Sequence, residues 1–493
     1  MSHPHPVFDL LEQDAGRDAA HVFANLASDY LTGTRDGSGP VSTSLTPDEI
    51  AERFAEPLPV GARDLEEVAE RVKRDVMSDI NRLAHPMYLG HQVSAPLPAM
   101  VWMEAVIAAM NQSVAVWEMS PTATLVEERL VRWLCDLVGW GPSSGGTFTS
   151  GGTEAIFTAL LAARAAAMPD AWENGVGDDP PVVVCGEHAH YAVTRAVAQL
   201  GLGVRRAIAV PSRDHRMDTD ALEATLRRLA SEGKRVMAVV ATAGSTATGS
   251  FDDIERVGAI CEERGIWFHL DGAHGASALL SPKHRHRMRG VERARSLTWD
   301  AHKMMLAPLS GGMLLVREER DLERAFAQAA PYLFNAPANG AGRGRDQGKR
   351  SFMCSRRTDA LKVWVALQRY GADGMAAIYE RLCDTARALH EEIAARDDFV
   401  SVHEPQSNIL CFRWIGDGSH GDEELDRMNR ELRERYNRSG EGWITATVID
   451  GRQLLRVTVM NPRSGREHAR RLLRGLAEEA AAGLVSERPA AAS

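Results

Sequence analysis

Apolar residues recur along this chain with two different periods. After Ser120-Pro121 they fall at Leu125, Val126, Leu130, Leu134, Leu137 and Val138. That is the spacing of a helix with one buried face, and a serine followed by proline is a helix start. Earlier, Thr46-Pro47-Asp48-Glu49 opens another helix, with Thr46 as cap, Pro47 in the first turn and Glu49 completing a capping box. Residues 64–83 predict a second, strongly charged amphipathic helix. From about Thr147 the period changes. Short apolar runs at 181–185, 236–243, 266–271, 296–300 and 312–316 predict strands, with helical stretches such as 153–167 and 220–231 between them. Short apolar strands alternating with helices predict a mostly parallel sheet covered on both faces.

Further on, helices at 359–370 and 374–396 precede strands at 408–414, 443–448 and 454–459, the pattern of a smaller α+β domain. The division expected is an N-terminal helical segment with little core of its own at 1–84, a large domain at 85–360 and a small C-terminal domain at 361–484. A small-residue tail at 485–493 is expected to be disordered. Residues 339–350 (NGAGRGRDQGKR) are rich in Gly and Arg and read as a mobile surface loop. No internal repeat is present.

Composition narrows the class. With 493 residues, 44% hydrophobic and 25% charged, the chain reads as a soluble globular protein of more than one domain. A net charge of −10 argues against a nucleic-acid surface. No apolar run is long enough to span a membrane, and residues 1–10 lack the basic stretch and apolar core of a secretory signal. The six cysteines, at 135, 185, 261, 354, 383 and 411, form no CxxC pair. No metal site or disulfide framework is expected, and a cytoplasmic location fits.

Four features fall at predicted strand ends or helix starts. Ser150-Gly151-Gly152-Thr153 precedes the 153–167 helix, where free N–H groups and the helix dipole can hold a phosphate. A Gly-Gly turn alone is weak, but no Walker lysine or GxGxxG points to a nucleotide instead. Asp271 ends a buried strand; the alternative to an ion pair with a ring nitrogen is a helix cap. Lys303 follows an apolar strand and precedes two methionines, where desolvation favours the neutral amine that condenses with an aldehyde. The alternative is a lysine snorkelling past the strand end. His190, in His188-Ala189-His190, suits stacking on a flat ring better than a metal, for which no further ligands lie nearby, or a plain surface histidine. Phosphate cradle, aromatic platform, carboxylate and lysine together are what pyridoxal 5′-phosphate (PLP) needs.

The sequence resembles the group II PLP-dependent amino-acid decarboxylases, the family of glutamate, cysteine-sulfinate, diaminobutyrate and aromatic-amino-acid decarboxylases. The similarity runs from about His85 to Pro462 and is most specific at Gly90-His91-Gln92-Val93-Ser94, 149–153, Ala189-His190, 241–246, 268–275, 283–294, His302-Lys303-Met304-Met305, Pro331-Tyr332, Ser355-Arg356-Arg357, Leu361-Lys362-Val363-Trp364 and Leu455-Arg456-Val457. It implies PLP fold type I, aspartate-aminotransferase-like, with a mostly parallel seven-stranded sheet, and a homodimer whose N-terminal helices wrap the partner. It implies that Lys303 holds PLP as a Schiff base, His190 stacks on the ring, Asp271 pairs with its nitrogen and Ala273 packs against it. Ser150, Gly151, Gly152 and Thr153 hold the phosphate, Thr246, Asp300 and His302 lie close by, and Tyr332 on a mobile loop returns a proton to the substrate carbon. Gln92, Ser94 and Arg456 are implied to meet the substrate.

Many relatives carry Asn-Pro where this chain has Asp300-Ala301, and an acidic side chain beside a phosphate repels it. His274 stands where the family has an aromatic, and Ala115 where some glutamate enzymes carry a bulkier one. These departures leave the cofactor chemistry and bear on the substrate. The expectation is an α-decarboxylase of a small acidic amino acid such as glutamate, aspartate or cysteine sulfinate. The alternatives are a diaminobutyrate or aromatic decarboxylase, a decarboxylation-dependent oxidative deaminase, or a catalytically silent binding homologue.

Overall fold

The computed structural model describes residue 12 and residues 16–43, 45–328, 330–334 and 344–486. The tail from 487 and residues 339–343 of the Gly/Arg-rich stretch lie outside the described residues. The chain divides into two compact units, one of Gln92–His390 with Val402–Cys411 and one of the remaining residues.

The larger unit is built on a seven-stranded sheet. Its strands are β1 (Gly145–Thr149), β2 (Val182–Gly186), β3 (Ala207–Val210), β4 (Val236–Thr242), β5 (Trp267–Asp271), β6 (Ser296–Asp300) and β7 (Gly312–Val316). They lie in the order β1-β7-β6-β5-β4-β2-β3. Only β7 runs antiparallel to its neighbours. The expected parallel sheet is therefore present, and β6 and β7 have the bounds read from the sequence. β1 and β3 were not among the strands expected: β3 is a short apolar run, Ala207–Val210, and β1 opens on two glycines. Gly145 and Gly146 carry no side chain, and a Cβ on Gly146 would stand 2.5 Å from the Leu314 carbonyl oxygen, so the strand pairs closely because it is glycine there.

Helices α1 (Gly152–Ala167) and α2 (Ala192–Gln199) cover one part of the sheet. Ile156, Leu160, Val193 and Val197 join Val183, Val240 and Trp267 in one buried cluster. Such packing is the main source of stability for a sheet buried on both faces. Helix α3 (Ala360–Ala394) joins the two helices expected at 359–370 and 374–396. They abut at Gly371, whose φ of 68° and ψ of 171° suit glycine alone.

The boundary expected at 361 lies instead near 390, because α3 belongs to the larger unit. Leu361 packs with Ile107, Val114 and Ala123. Lower down, Ser281 donates to Glu380 at 2.6 Å and Lys283 pairs with Asp384 at 2.5 Å. The described part of the expected surface loop is also more anchored than its composition suggests. Gln347 and Arg350 are buried, and Arg350 is ion-paired with Glu319 and Glu323 at 2.6 and 2.8 Å.

Apart from Ile409–Cys411, the smaller unit carries a five-stranded sheet in the order Tyr88–Leu89, Trp443–Ile449, Arg452–Thr458, Ile409–Trp414 and Phe399–Ser401, with helices Asp422–Ser439 and Arg466–Ser486. At its N-terminal end the capping box forms: the Thr46 hydroxyl accepts from the Glu49 N–H, and Glu49 accepts from the Thr46 N–H at 2.7 Å. The helix expected over 64–83 stops at Met77, after a π-helical turn from Val72. There the Ser78 hydroxyl turns back to the Arg74 carbonyl at 2.6 Å, an alternative to continuing the helix.

His269 lies fully buried in β5 between two hydroxyls, Ser296 at 2.8 Å from Nδ1 and Thr298 at 3.2 Å from Nε2. Burial holds its pKa down to about 3. An unfolded histidine titrates near ~6.5, so its neutral burial contributes in full above that pH. The contribution is lost as pH falls, at about 1.4 kcal/mol per pH unit below ~6.5. Urea unfolding of the cofactor-free protein between about pH 6.5 and 4.5 should show a steeper loss of stability for the wild type than for His269→Gln. Parallel curves for the two proteins would contradict this.

Candidate active site

Four of the parallel strands deliver functional groups from their carboxyl ends, the edge at which open α/β sheets bind ligands. β1 runs into Ser150 and Gly151, β4 ends on Thr242, β5 on Asp271 and β6 on Asp300, with His302 and Lys303 in the turn that follows. His190 comes from the loop after β2. Together with Gly152, Thr153, Thr246 and Ala273 these residues line one cavity of about 360 Å³. All the residues expected to hold the cofactor therefore face the same space. Thr242, Gly244, Ile156 and Leu309 also line it and had been given no role, and His274, expected to bear on the substrate, lines it too. Thr242 was findable by the rule that found Asp271, since both end buried parallel strands. Leu309 carries no such signal.

Charge is concentrated at the end of β6. The Lys303 ammonium lies 3.0 Å from Asp300 Oδ2, and Asp300 is only 1% exposed. His302 Nε2 lies 3.4 Å from the same oxygen, while its Nδ1 accepts the Gly311 N–H at 3.2 Å. Nδ1 is thus the acceptor, the proton sits on Nε2, and burial keeps this imidazole neutral by lowering its pKa. His190 is fixed the same way: its Nδ1 accepts the Ala192 N–H at 3.2 Å, and desolvation lowers its pKa against the pull of Asp271. Asp271 is buried, which raises its pKa, opposed chiefly by Lys303 and by the Ala273 N–H that its Oδ1 accepts at 3.2 Å.

The cradle before α1 can be tested for fit. A Cβ on Gly151 would stand 3.2 Å from His302 Cε1, and one on Gly152 would stand 3.0 Å from Asp300 Oδ2 and 3.1 Å from Ala273 Cβ. Side chains at these two positions would fill the space over the first helical N–H groups, so glycine keeps it open. The Ser150 N–H and hydroxyl are free of backbone partners and are accepted by the Glu154 carboxylate of the same helix, at 2.8 and 2.7 Å. Donors that a carboxylate takes up are donors that suit a phosphate oxygen. A buried carboxylate for a ring nitrogen, a lysine for an aldehyde and an open helix N-terminus for a phosphate fit PLP.

A second network holds the turn beside Lys303. Lys362 is fully buried, with its ammonium 2.5 Å from Glu104, 3.2 Å from Asp359 and hydrogen-bonded to the Ser310 carbonyl. It thereby fixes the 309–311 segment that supplies Leu309 to the cavity and the Gly311 N–H to His302. The sequence marks Lys362 only as part of a family motif. Arg356, from another such motif, is spent on a buried bidentate pair with Glu127 at 2.7 and 2.9 Å.

The residues expected at the substrate do not line this cavity. The Ser94 hydroxyl is turned onto the carbonyls of His302 and Ala307, at 3.1 and 3.3 Å, and so braces the lysine turn. Gln92 lies half-buried with its Nε2 making no hydrogen bond. Arg456 belongs to the smaller unit, where it is buried and donates from Nε to the Thr445 hydroxyl at 3.1 Å. Tyr332 is 86% exposed and lines a different hollow, with Phe157, Trp172, Phe326 and Phe352.

Comparison with known proteins agrees with this geometry. The family described as "Pyridoxal-dependent decarboxylase conserved domain" matches residues 47–415. An L-2,4-diaminobutyrate decarboxylase of Rhizobium meliloti (strain 1021) is 33% identical over 86% of this chain and 84% of its own. The cysteine sulfinic acid decarboxylase of Mus musculus is 29% identical over 90% of this chain and 91% of its own. Among solved structures, mouse CSAD superposes with a TM-score of 0.88 at 27% identity, covering 97% of this chain and 99% of that one. Matching residues 47–415, a closely similar fold and a cavity suited to the cofactor lead to one conclusion: the chain belongs to the group II pyridoxal-dependent decarboxylase family and is a PLP-dependent amino-acid carboxy-lyase.

Proposed function

We propose that this enzyme removes the α-carboxylate of a small L-amino acid with a polar side chain, and that it works as a cytoplasmic homodimer. The observation that carries the reading is the convergence of Lys303, Asp271, His190 and the 150–153 cradle on one cavity. PLP, when bound, supplies an electron-withdrawing ring that takes up the electrons left at Cα as carbon dioxide departs. Ser150 and the N–H groups of Gly151, Gly152 and Thr153 bind the phosphate at the positive end of α1. Asp271 holds a proton at the ring nitrogen, and its burial makes that ion pair strong. Asp300, 3.0 Å away, is placed to take the proton that the Lys303 amine must lose before it can attack an aldehyde. His190, neutral with its proton on Nε2, presents a flat face and one donor. Ala273, Thr246 and Leu309 narrow the cavity and exclude water.

For the substrate, the diaminobutyrate decarboxylase relatives put L-2,4-diaminobutyrate first. Arg456 favours the acidic amino acids as a second reading, since a buried guanidinium suits a carboxylate, but an arginine that serves the α-carboxylate is compatible with both. Carbon dioxide release by the PLP-loaded protein should be seen with one of diaminobutyrate, glutamate, aspartate and cysteine sulfinate, and fall by at least ~10³-fold in Lys303→Ala. A yellow protein that releases none from any of these or from aromatic amino acids would overturn the decarboxylase reading.

Tyr332 is proposed as the proton donor to Cα, reaching the cavity of the partner subunit; its exposure and its absence from the cavity of its own chain support this. Lys303→Ala and Tyr332→Phe chains, each inactive alone, should regain activity when mixed and reassembled, because one of the two sites in a mixed dimer then has both groups. Mixing without any regain would place Tyr332 in its own chain's site or outside the chemistry.

A further inference from the structure

Helix α1 starts at the cradle, and its far half borders a second hollow. Phe157, Leu161 and Arg164 recur at i, i+4 and i+7, on one helical face. Arg164 lies roughly 18 Å along the axis from Gly152 at ~1.5 Å per residue. The hollow has a volume of about 590 Å³ and shares no lining residue with the cofactor cavity. Trp172, Phe326 and Phe352 make its other walls aromatic, and the Phe157 and Phe352 rings meet edge to face at 5.4 Å. The polar groups on the lining are mostly committed within the chain. Gln328 donates to the Gly348 carbonyl at 3.3 Å, and the Ser351 hydroxyl donates to the Gln347 and Met353 carbonyls at 3.0 and 2.9 Å. Arg164 is the exception. Its Nη1 donates to the Leu200 carbonyl at 3.0 Å, while its Nε is buried and makes no hydrogen bond. No carboxylate among the described residues pairs with it, and burial alone acts on its pKa, lowering it. A half-buried positive charge with no counter-charge costs free energy, which an anionic ligand offsets.

We infer that this hollow binds a small aromatic monocarboxylate, with its carboxylate on Arg164 and its ring among Phe157, Trp172 and Phe352. With Nη1 engaged by Leu200, the guanidinium keeps its Nε–Nη2 edge, on which a carboxylate accepts two parallel hydrogen bonds. Arg164 is the one charged residue on the lining among the described residues, which suits a single negative charge. Walls of aromatic rings favour a flat ring, which packs edge to face or offset against them, over an alkyl chain. The volume is in the range of small-molecule sites. Tyr332 stands on the same lining, so the bound ligand holds the 330–334 segment on its own chain. On the reading of Tyr332 as the proton donor, occupancy of the hollow lowers kcat without any contact between the ligand and the cofactor cavity.

Cys354 supplies the readout, because it lines the hollow and is the one exposed cysteine of the six. The PLP-loaded enzyme is labelled with iodoacetamide, and the label on Cys354 is followed by proteolysis and mass analysis. The probes are indole-3-acetate, which has no amino group to react with PLP, and its neutral counterpart indole-3-acetamide. Indole-3-acetate should slow the labelling of Cys354, and the amide should need at least ~10-fold more to do the same. The protecting concentration of the acid should rise by about tenfold or more in Arg164→Gln and in Trp172→Ala, with yellow absorbance showing that both variants are folded. The acid should lower kcat of the wild type at the concentration that protects Cys354. Equal protection by acid and amide, equal protection in the wild type and Arg164→Gln, or no protection would overturn the site. A Cys354 that reacts only after denaturation would overturn it too, since the hollow is then covered in the assembled enzyme. Charge-dependent protection with kcat unchanged would uphold the site and overturn the role given to Tyr332.

Discussion

The ion pair between Lys303 and Asp300 sets the terms for the rest of the site. At 3.0 Å, with an effective dielectric near ~20, the attraction is roughly 5 kcal/mol. Taking each ion out of water costs several kcal/mol, so the pair does little for stability. It persists because the surrounding structure holds it. β6 ends at Asp300, the Ser94 hydroxyl braces the carbonyls of His302 and Ala307, and Lys362 fixes the 309–311 segment from below. A lysine held beside a carboxylate, with its turn fixed from two sides, is oriented before any ligand arrives, and orientation is a large part of what such a site contributes to rate.

The same economy of charge runs through the cavity. Two buried carboxylates, Asp271 and Asp300, face one lysine, while His190 and His302 are kept neutral by burial and by backbone N–H groups on their Nδ1 atoms. The two carboxylates differ in what they meet: Asp300 pairs with Lys303 at 3.0 Å, and Asp271 accepts the Ala273 N–H at 3.2 Å.

Much of this was legible in the sequence because the signals were local. Period-two and period-3.6 patterns located β6 and β7 to the residue, and the strand-end rule located Asp271. β1 was missed because Gly145 and Gly146 give no apolar signal; its pairing depends on the close approach to β7 that glycine permits. The boundary at 361 was misplaced because the helical period says nothing about what a helix packs against. The Lys362 network joins residues 104, 310, 359 and 362, a contact set that no local pattern contains. The substrate residues were the least legible part. Ser94 looks polar and available in the sequence, but its hydroxyl is committed to backbone carbonyls.

The central claim is that Lys303 is the residue that carries the cofactor. Reduction of the PLP-loaded protein with borohydride, followed by proteolysis and mass analysis, tests it directly. The account predicts the pyridoxyl mass on the peptide containing Lys303, and none in Lys303→Ala. A label on another lysine, such as Lys362, or a yellow protein that yields no labelled peptide, would contradict it.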